Sequence, residues 1–268
     1  MTLIVAWAAL DKKGQEYDVS AMYILSESRI SWGEGNIWDN GRKIFHFQNH
    51  PDILGYCGDV LFTTQVLSQI ITLGDAGLLF KHEETFSIKS QIIFNQISAL
   101  LLNYPESKLF PSFSIIHCGK TVKGTFECKL FNWEKGGAFS TKVLSVSNFA
   151  DRIIALGSGA TEFERFYFDR YKSYERKSSR EIYQLFIDTL SNIKDTKCGG
   201  PPQLAGVYRG DIAKTFGIII DNKRYVLGME IMERTDFGKI EWRNELFERC
   251  SPITNQILPN AQRQPKLK

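Results

Sequence analysis

The order in which the hydrophobic period changes along the chain limits its fold more than any single residue does. Thr2–Leu10 and Ala21–Ile30 read as strands, and Lys43–Phe47 and Ile53–Cys57 as two shorter ones. Turn or loop sequences separate them at Asp11–Gln15, Gly33–Asn36 and Asn49–Asp52. The period then becomes helical over Asp59–Leu73 and Ser87–Leu102. Phe113–His117, Phe126–Trp133, Phe139–Val146 and Ile153–Leu156 return to strand character. Helices are predicted for Thr161–Tyr171 and Ser179–Ile193, the second capped by Ser178 or Ser179. Strands at Ala205–Tyr208, Thr215–Ile220 and Arg224–Met229 follow. This block order predicts an α+β fold, a four-layer αββα sandwich of two antiparallel sheets with a helix pair on each outer side. No internal repeat and no linker divides the chain, so it reads as one domain over residues 1–236 with an extension over 237–268. The polar, proline-bearing end of that extension, beyond Asn255, is expected to be disordered.

Composition narrows the function. A net charge of +3 is too slight to argue for nucleic acid or an anionic membrane. The basic stretch Arg170–Lys177 is broken by Glu175 and reads as a solvated helix end. Five cysteines without CxxC spacing, beside four histidines, give a zinc site little support and suit a reducing compartment. No metal or cofactor is implied. No apolar run is long enough to cross a bilayer and no signal-peptide pattern is present, so a cytoplasmic protein is expected.

The chain opens Met1-Thr2-Leu3-Ile4-Val5. Thr2 is small enough for Met1 to be trimmed, which would leave a threonine with a free α-amine. An amine on the same carbon framework is one recognised base for a weakly nucleophilic hydroxyl. Many chains begin Met-Thr without any such chemistry, so the context decides.

That context is a set of short segments in order. Ser26-Glu27-Ser28-Arg29 ends the second strand, and Lys43 stands sixteen residues after Glu27. Gly58 precedes the first helix, Gly157-Ser158-Gly159 the third, and Asp195-Thr196-Lys197-Cys198-Gly199 follows the fourth. Taken singly, these fit blander roles: surface alternation for Glu27 and Arg29, a solvated strand start for Lys43, a turn at 157–159 and a helix end at Asp195. Taken together, from Thr2 to about Asp221, they resemble a proteasome β-type subunit, an N-terminal-nucleophile (Ntn) hydrolase, and especially the short bacterial and phage-borne relatives that begin Met-Thr. Two residues depart from that pattern: Glu27 stands for aspartate and Cys198 for serine.

The resemblance implies Thr2 as nucleophile, with its own amine as base. It implies Lys43 as the charge that tunes them, Glu27 as the partner of Lys43, and Gly58 as the oxyanion donor. Ser158, Asp195 and Cys198 would orient the amine. Ile30, Gly41 and Tyr56 resemble residues lining a first specificity pocket, and Ser31 one whose backbone holds the substrate chain. The implied function is threonine-type cleavage of peptide or protein substrates. A catalytically silent structural or regulatory subunit and a small-molecule amide hydrolase are the alternatives. A homo-oligomer is implied, for which a ring and a partner unfoldase are open. Five aromatics crowd the third helix (Phe163, Phe166, Tyr167, Phe168, Tyr171), to be covered by another subunit or by residues Phe237–Cys250.

Overall fold

Alternation along the first strand decides how the layers meet. In the computed structural model, β1 (Ile4–Lys13) pairs antiparallel with β2 (Glu16–Ser26) and β10 (Arg152–Leu156). The structure describes all residues except 1, 14–15, 33–34, 82, 106–111, 148–150, 172–177, 211, 233–235 and 264–268. Successive side chains point to opposite faces of a sheet. Leu3, Val5 and Trp7 therefore enter one buried cluster, and Ile4, Ala6 and Ala8 another.

The first cluster is closed by α3 (Ala160–Tyr171) and α4 (Ser179–Asn192), through Phe163, Tyr167, Ile182, Tyr183 and Phe186. A capping box at Ser178 and Glu181 starts α4. The second cluster lies against a five-stranded sheet ordered β5 (Ile44–His46), β6 (Asp52–Gly58), β7 (Ser112–Lys120), β8 (Phe126–Glu134) and β9 (Ser140–Leu144). On the far side of that sheet, α1 (Leu61–Asp75) and α2 (Phe86–Asn103) supply a third cluster with Phe62, Leu67, Ile93 and Ile97.

The large sheet continues from β2 into β11 (Gln203–Tyr208), β12 (Ala213–Ile220), β13 (Lys223–Val226) and β14 (Met229–Glu230). Two further strands, β15 (Glu241–Arg243) and β16 (Arg249–Cys250), join it, β15 running parallel to β12. Trp242 lies flat over Gly217, where any β-carbon would sit 2.3 Å from its ring. A separate hairpin pairs β3 (Ile30–Trp32) with β4 (Asn36–Trp38).

These observations correct the expected two-sheet αββα sandwich. The described residues form three sheets of nine, two and five strands, and strand outweighs helix. The added parts carry weak sequence signals. Strands β14, β15 and β16 are only two or three residues long, and β3–β4 exposes the apolar residues that a half-buried strand would hide. Asp11–Lys13, expected in a turn, extends β1, while Gly14 and Gln15 lie outside the described residues. Of the expected loop 33–36, Gly33 and Glu34 also lie outside. The second expected strand breaks at Glu27–Arg29 before β3 begins. Residues 172–177 of the basic stretch and 264–268 of the tail lie outside the description as well, whereas Arg170 ends α3 with an ion pair to Asp188. Among the described residues no helix is long and apolar enough to cross a membrane.

Candidate active site

The register of β1 gathers residues that lie far apart in sequence. Ile4 pairs with Ser26 on one side and with Leu156 on the other. Thr2, just before β1, is therefore flanked by the end of β2 at Glu27 and by the Gly157–Gly159 turn. The N–H of Glu27 donates to the Leu3 carbonyl at 3.2 Å, and that of Gly159 to the Thr2 carbonyl at 3.1 Å. Gly157 has φ +90°, and a β-carbon there would lie 2.0 Å from the Thr2 carbonyl oxygen, so only glycine fits.

Lys43, immediately before β5, is 1% exposed and sends its ammonium to three oxygens. It donates to the Thr2 hydroxyl at 3.0 Å, to the Arg29 carbonyl at 2.5 Å, and to Glu27 Oε1 in a buried ion pair. The other carboxylate oxygen of Glu27 accepts from the N–H groups of Arg29 (2.5 Å) and Gly199 (3.1 Å). Burial pushes the Glu27 carboxyl above its ordinary value, and Lys43 with the two backbone donors draws it only partly back.

On the other side of Thr2, the hydroxyl of Ser158 lies 3.5 Å from the Cys198 sulfur, which in turn lies 3.7 Å from Asp195 Oδ2. Burial raises the Cys198 thiol, and the Ser158 hydroxyl and the backbone N–H of Thr2 partly offset it. For Asp195, burial pushes upward, but the Ser158 hydroxyl and the Lys197 N–H outweigh it and hold the carboxyl below its ordinary value. The structure thus brings Thr2, Glu27, Lys43, Ser158, Asp195 and Cys198 into one neighbourhood.

Gly58 enters it less directly. It ends β6 with φ +99°, packed so tightly on Ser112 that a β-carbon would sit 2.2 Å from that carbonyl. Its neighbour Cys57 feels the Lys43 charge, and Tyr56 N–H donates to the Lys43 carbonyl at 3.1 Å. Tyr56 itself is fully buried, its hydroxyl on the Arg42 carbonyl at 3.2 Å. Ile30 packs on Gly41, where a β-carbon would lie 2.5 Å from its side chain, and half-buried Ser31 follows on β3.

Sequence reasoning passed over two residues that brace the site. Arg29 forms a bidentate pair with Asp39 (2.7 and 2.9 Å) and donates to the carbonyls of Thr196 and Cys198, tying hairpin β3–β4 to the 195–200 loop. Gln203, fully buried, accepts from Lys43 N–H at 3.0 Å and donates to Gly41 O (2.6 Å), Ser28 Oγ (2.9 Å) and Glu27 O (3.3 Å). Arg29 was visible in the Ser26–Arg29 segment, whereas Gln203 gave no signal, since its partners lie more than 150 residues away. Among the described residues no cluster of three or more His, Cys, Asp or Glu could hold a metal.

No protein-family model matches the chain, and no curated protein matches it either. Solved structures do. An Anbu (ancestral beta-subunit) from Yersinia bercovieri aligns at 15% identity with a TM-score of 0.55, over 77% of this chain and 82% of that one. An Anbu (Gly-1) mutant from Hyphomicrobium sp. strain MC1 aligns at 14% identity and TM-score 0.52, over 78% and 81%. The helical assembly of the Anbu complex from Pseudomonas aeruginosa aligns at 12% and 0.53, over 80% and 85%. The resemblance read from the segments is corrected accordingly: no sequence family supports the short bacterial and phage-borne relatives, and the likeness found is structural and to Anbu. At these identities the likeness is one of fold, and the chain shares its fold with the Anbu proteins.

Proposed function

We propose that the chain is an N-terminal threonine hydrolase that cleaves peptide bonds once Met1 is removed. The observation that carries this reading is the 3.0 Å contact between the Lys43 ammonium and the Thr2 hydroxyl, both buried, with the ammonium anchored by Glu27. The Thr2 oxygen attacks the substrate carbonyl carbon and passes its proton to its own α-amine. The Lys43 charge lowers the cost of the developing alkoxide and disfavours protonation of the amine. The N–H of Gly58 takes the anionic oxygen, a donor worth about 3 kcal/mol. The amine then protonates the leaving nitrogen, and water activated by the same amine releases the acyl group from the threonine ester. Ser158, Asp195 and Cys198 orient the amine; Ile30 shapes the pocket and Ser31 holds the substrate main chain, whereas Tyr56 is turned into the core beneath α1 and lines no pocket. The body over 1–236 carries this site. The copies assemble as a homo-oligomer, a reading supported by the helical assembly formed by one structural neighbour.

Backbone geometry adds support. Thr2 has φ +140°, a region that a β-branched residue rarely adopts. The angle exists only while Met1 is attached, so its removal relieves the strain.

The test joins intact mass with turnover of unstructured fluorogenic peptides. Met1 should be absent. Thr2→Ala should fold normally and lose activity by about a thousandfold or more, and Thr2→Ser should keep part of it. An active protein that retains Met1, or an active Thr2→Ala, would sink the proposal.

A further inference from the structure

Every cysteine of this chain is free and buried, and two of the five meet. Cys118 on β7 and Cys128 on β8 are register partners, both 0% exposed, with their sulfurs 3.2 Å apart. The others face different residues: Cys57 pairs with Ser114, Cys250 with Trp242, and Cys198 lies beside Ser158.

Nearby hydrogen bonds fix the kind of pair. Opposed residues of an antiparallel ladder alternate between hydrogen-bonded pairs and non-hydrogen-bonded ones, the latter with α-carbons only about 4.5 Å apart. The N–H of Thr121 donates to the Thr125 carbonyl at 2.8 Å, which makes 121–125 a hydrogen-bonded pair. Lys120 instead sends its N–H away from β8, to the Pro51 carbonyl at 3.0 Å. Even-numbered residues of β7 thus turn away from β8, and Cys118 faces Cys128 in a non-hydrogen-bonded pair. A separation of about 4.5 Å lies inside the range of roughly 4.4–6.8 Å that a disulfide spans between α-carbons. The backbone already stands where a bond needs it, and only the two sulfurs have to move.

We propose that Cys118 and Cys128 are an oxidisable dithiol that closes into a cross-strand disulfide, a covalent staple between β7 and β8. The oxidant is a small disulfide of the glutathione class. One cysteine thiolate attacks it, forming a mixed disulfide and releasing the first glutathione. The second cysteine thiolate then attacks the cysteine sulfur of that mixed disulfide and expels the other glutathione. Two electrons and two thiol protons pass from the cysteines to the glutathione pair. While the core is closed the dithiol is inert, because burial and the Cys128 sulfur raise the Cys118 thiol well above its ordinary value. Entry lies at the hairpin tip. The 121–125 turn begins three residues after Cys118 and exposes Val122, Lys123 and Thr125, so fraying there uncovers the sulfurs without global unfolding. The staple requires nothing of Thr2 and stands apart from the hydrolase reading.

The folded full chain tests this in glutathione buffers of rising oxidised fraction, with urea held below the unfolding transition to speed opening. After acid quenching and denaturation, the thiol count should fall from five to three, and the intact mass by two hydrogens. Trypsin, which cuts between the two cysteines at Lys120 and Lys123, should leave their peptides joined until a reductant is added. The closed loop holds on the order of ten residues, so oxidation should shift the unfolding equilibrium about a hundredfold toward the folded state. Cys118→Ala and Cys128→Ala should each keep every remaining thiol and gain no stability; the wild-type peptide map decides the matter without them. Five thiols at every buffer ratio, or a linkage to Cys57, Cys198 or Cys250, would overturn the proposal. So would glutathione retained on either cysteine, since a sulfur 3.2 Å away should displace it. Peptide turnover by the reduced chain reports separately on the hydrolase reading.

Discussion

Among the described residues two lysine–carboxylate pairs are buried, and the same chemistry serves different ends. Lys43 and Glu27 lie at the edge between the sheets, and Lys89 and Asp52 lie between the five-stranded sheet and α2. Around Asp52 every neighbour closes the site. His117 Nε2 sits 3.0 Å from its second oxygen, the Phe86 ring lies 4.5 Å from that imidazole, and Gly119 leaves room for nothing larger. The charges there join a helix to a sheet. Around Lys43 one oxygen is neither carboxylate nor carbonyl but the Thr2 hydroxyl. A buried ion pair is thus weak evidence of function by itself; what distinguishes the first is a nucleophile in reach.

Removing each ammonium should separate the two roles most sharply. Lys43→Met and Lys89→Met both strand a buried carboxylate, and each should cost about 3–5 kcal/mol in urea unfolding. Activity per folded molecule should diverge. Lys43→Met should lose about a thousandfold, the scale of losing a group that stabilises developing charge, whereas Lys89→Met should keep normal turnover wherever it is folded. Equal losses of turnover in the two variants would erase the distinction.

The contrast also shows what was legible beforehand. Among the described residues, helices α1 to α4 stood within a few residues of their observed bounds in the hydrophobic period, because each buries one face, whereas the number of sheets did not. Lys43 and Glu27 were legible only through the family resemblance, which sets a lysine at a fixed interval after the acidic residue of the Ser26–Arg29 segment. Gln203 was not, because a glutamine at a strand start looks solvated until β11 is known to lie beside β2. Hairpin β3–β4 was missed for a different reason: Trp32, Ile37 and Trp38 are 55%, 51% and 49% exposed, so no buried face sets a period. Parallel pairing of β15 with β12 depends on contacts too remote for local pattern to report. Among the α3 aromatics, Phe163 and Tyr167 are buried in the cluster that also holds Phe247, while Phe168 remains half exposed. Tyr171's side chain lies outside the described residues.

A smaller effect should appear in the pH dependence of stability, with opposite signs at the two pairs. Burial pushes the Asp52 carboxyl up, but His117 and Lys89 more than offset it and hold it below its ordinary 3.8. Its contribution is present above that value and fades as pH falls below it. Burial holds the His117 imidazole below 6.5 despite Asp52, so the folded state resists its protonation. That contribution is full above 6.5 and is lost as pH falls from 6.5 toward the folded value. Glu27 runs the other way. Its raised pKa means that stability declines as pH rises from 4.5 through the folded value. Urea midpoints measured from neutral to mildly acidic pH should fall in the wild type. His117→Gln should flatten that fall and Glu27→Gln should steepen it. Parallel profiles for the two variants would mean that the pairs do not differ in this way.

The smallest change expected is Cys198→Ser. Cys198 is 2% exposed, and its sulfur reaches Ser158 and Asp195 at long range, 3.5 and 3.7 Å. A hydroxyl is smaller and hydrogen-bonds more strongly than a thiol. If Cys198 only orients the amine, serine should do so as well. Turnover should then change by no more than about threefold and stability by under about 1 kcal/mol, the scale of one neutral hydrogen bond. The pH at which the Thr2 amine titrates, read from the acid limb of kcat/KM, should move with the stronger contact. A loss of activity as deep as that of Thr2→Ala would make the thiol a reacting group, and would place the nucleophile on the Asp195 side of the site rather than beside Lys43.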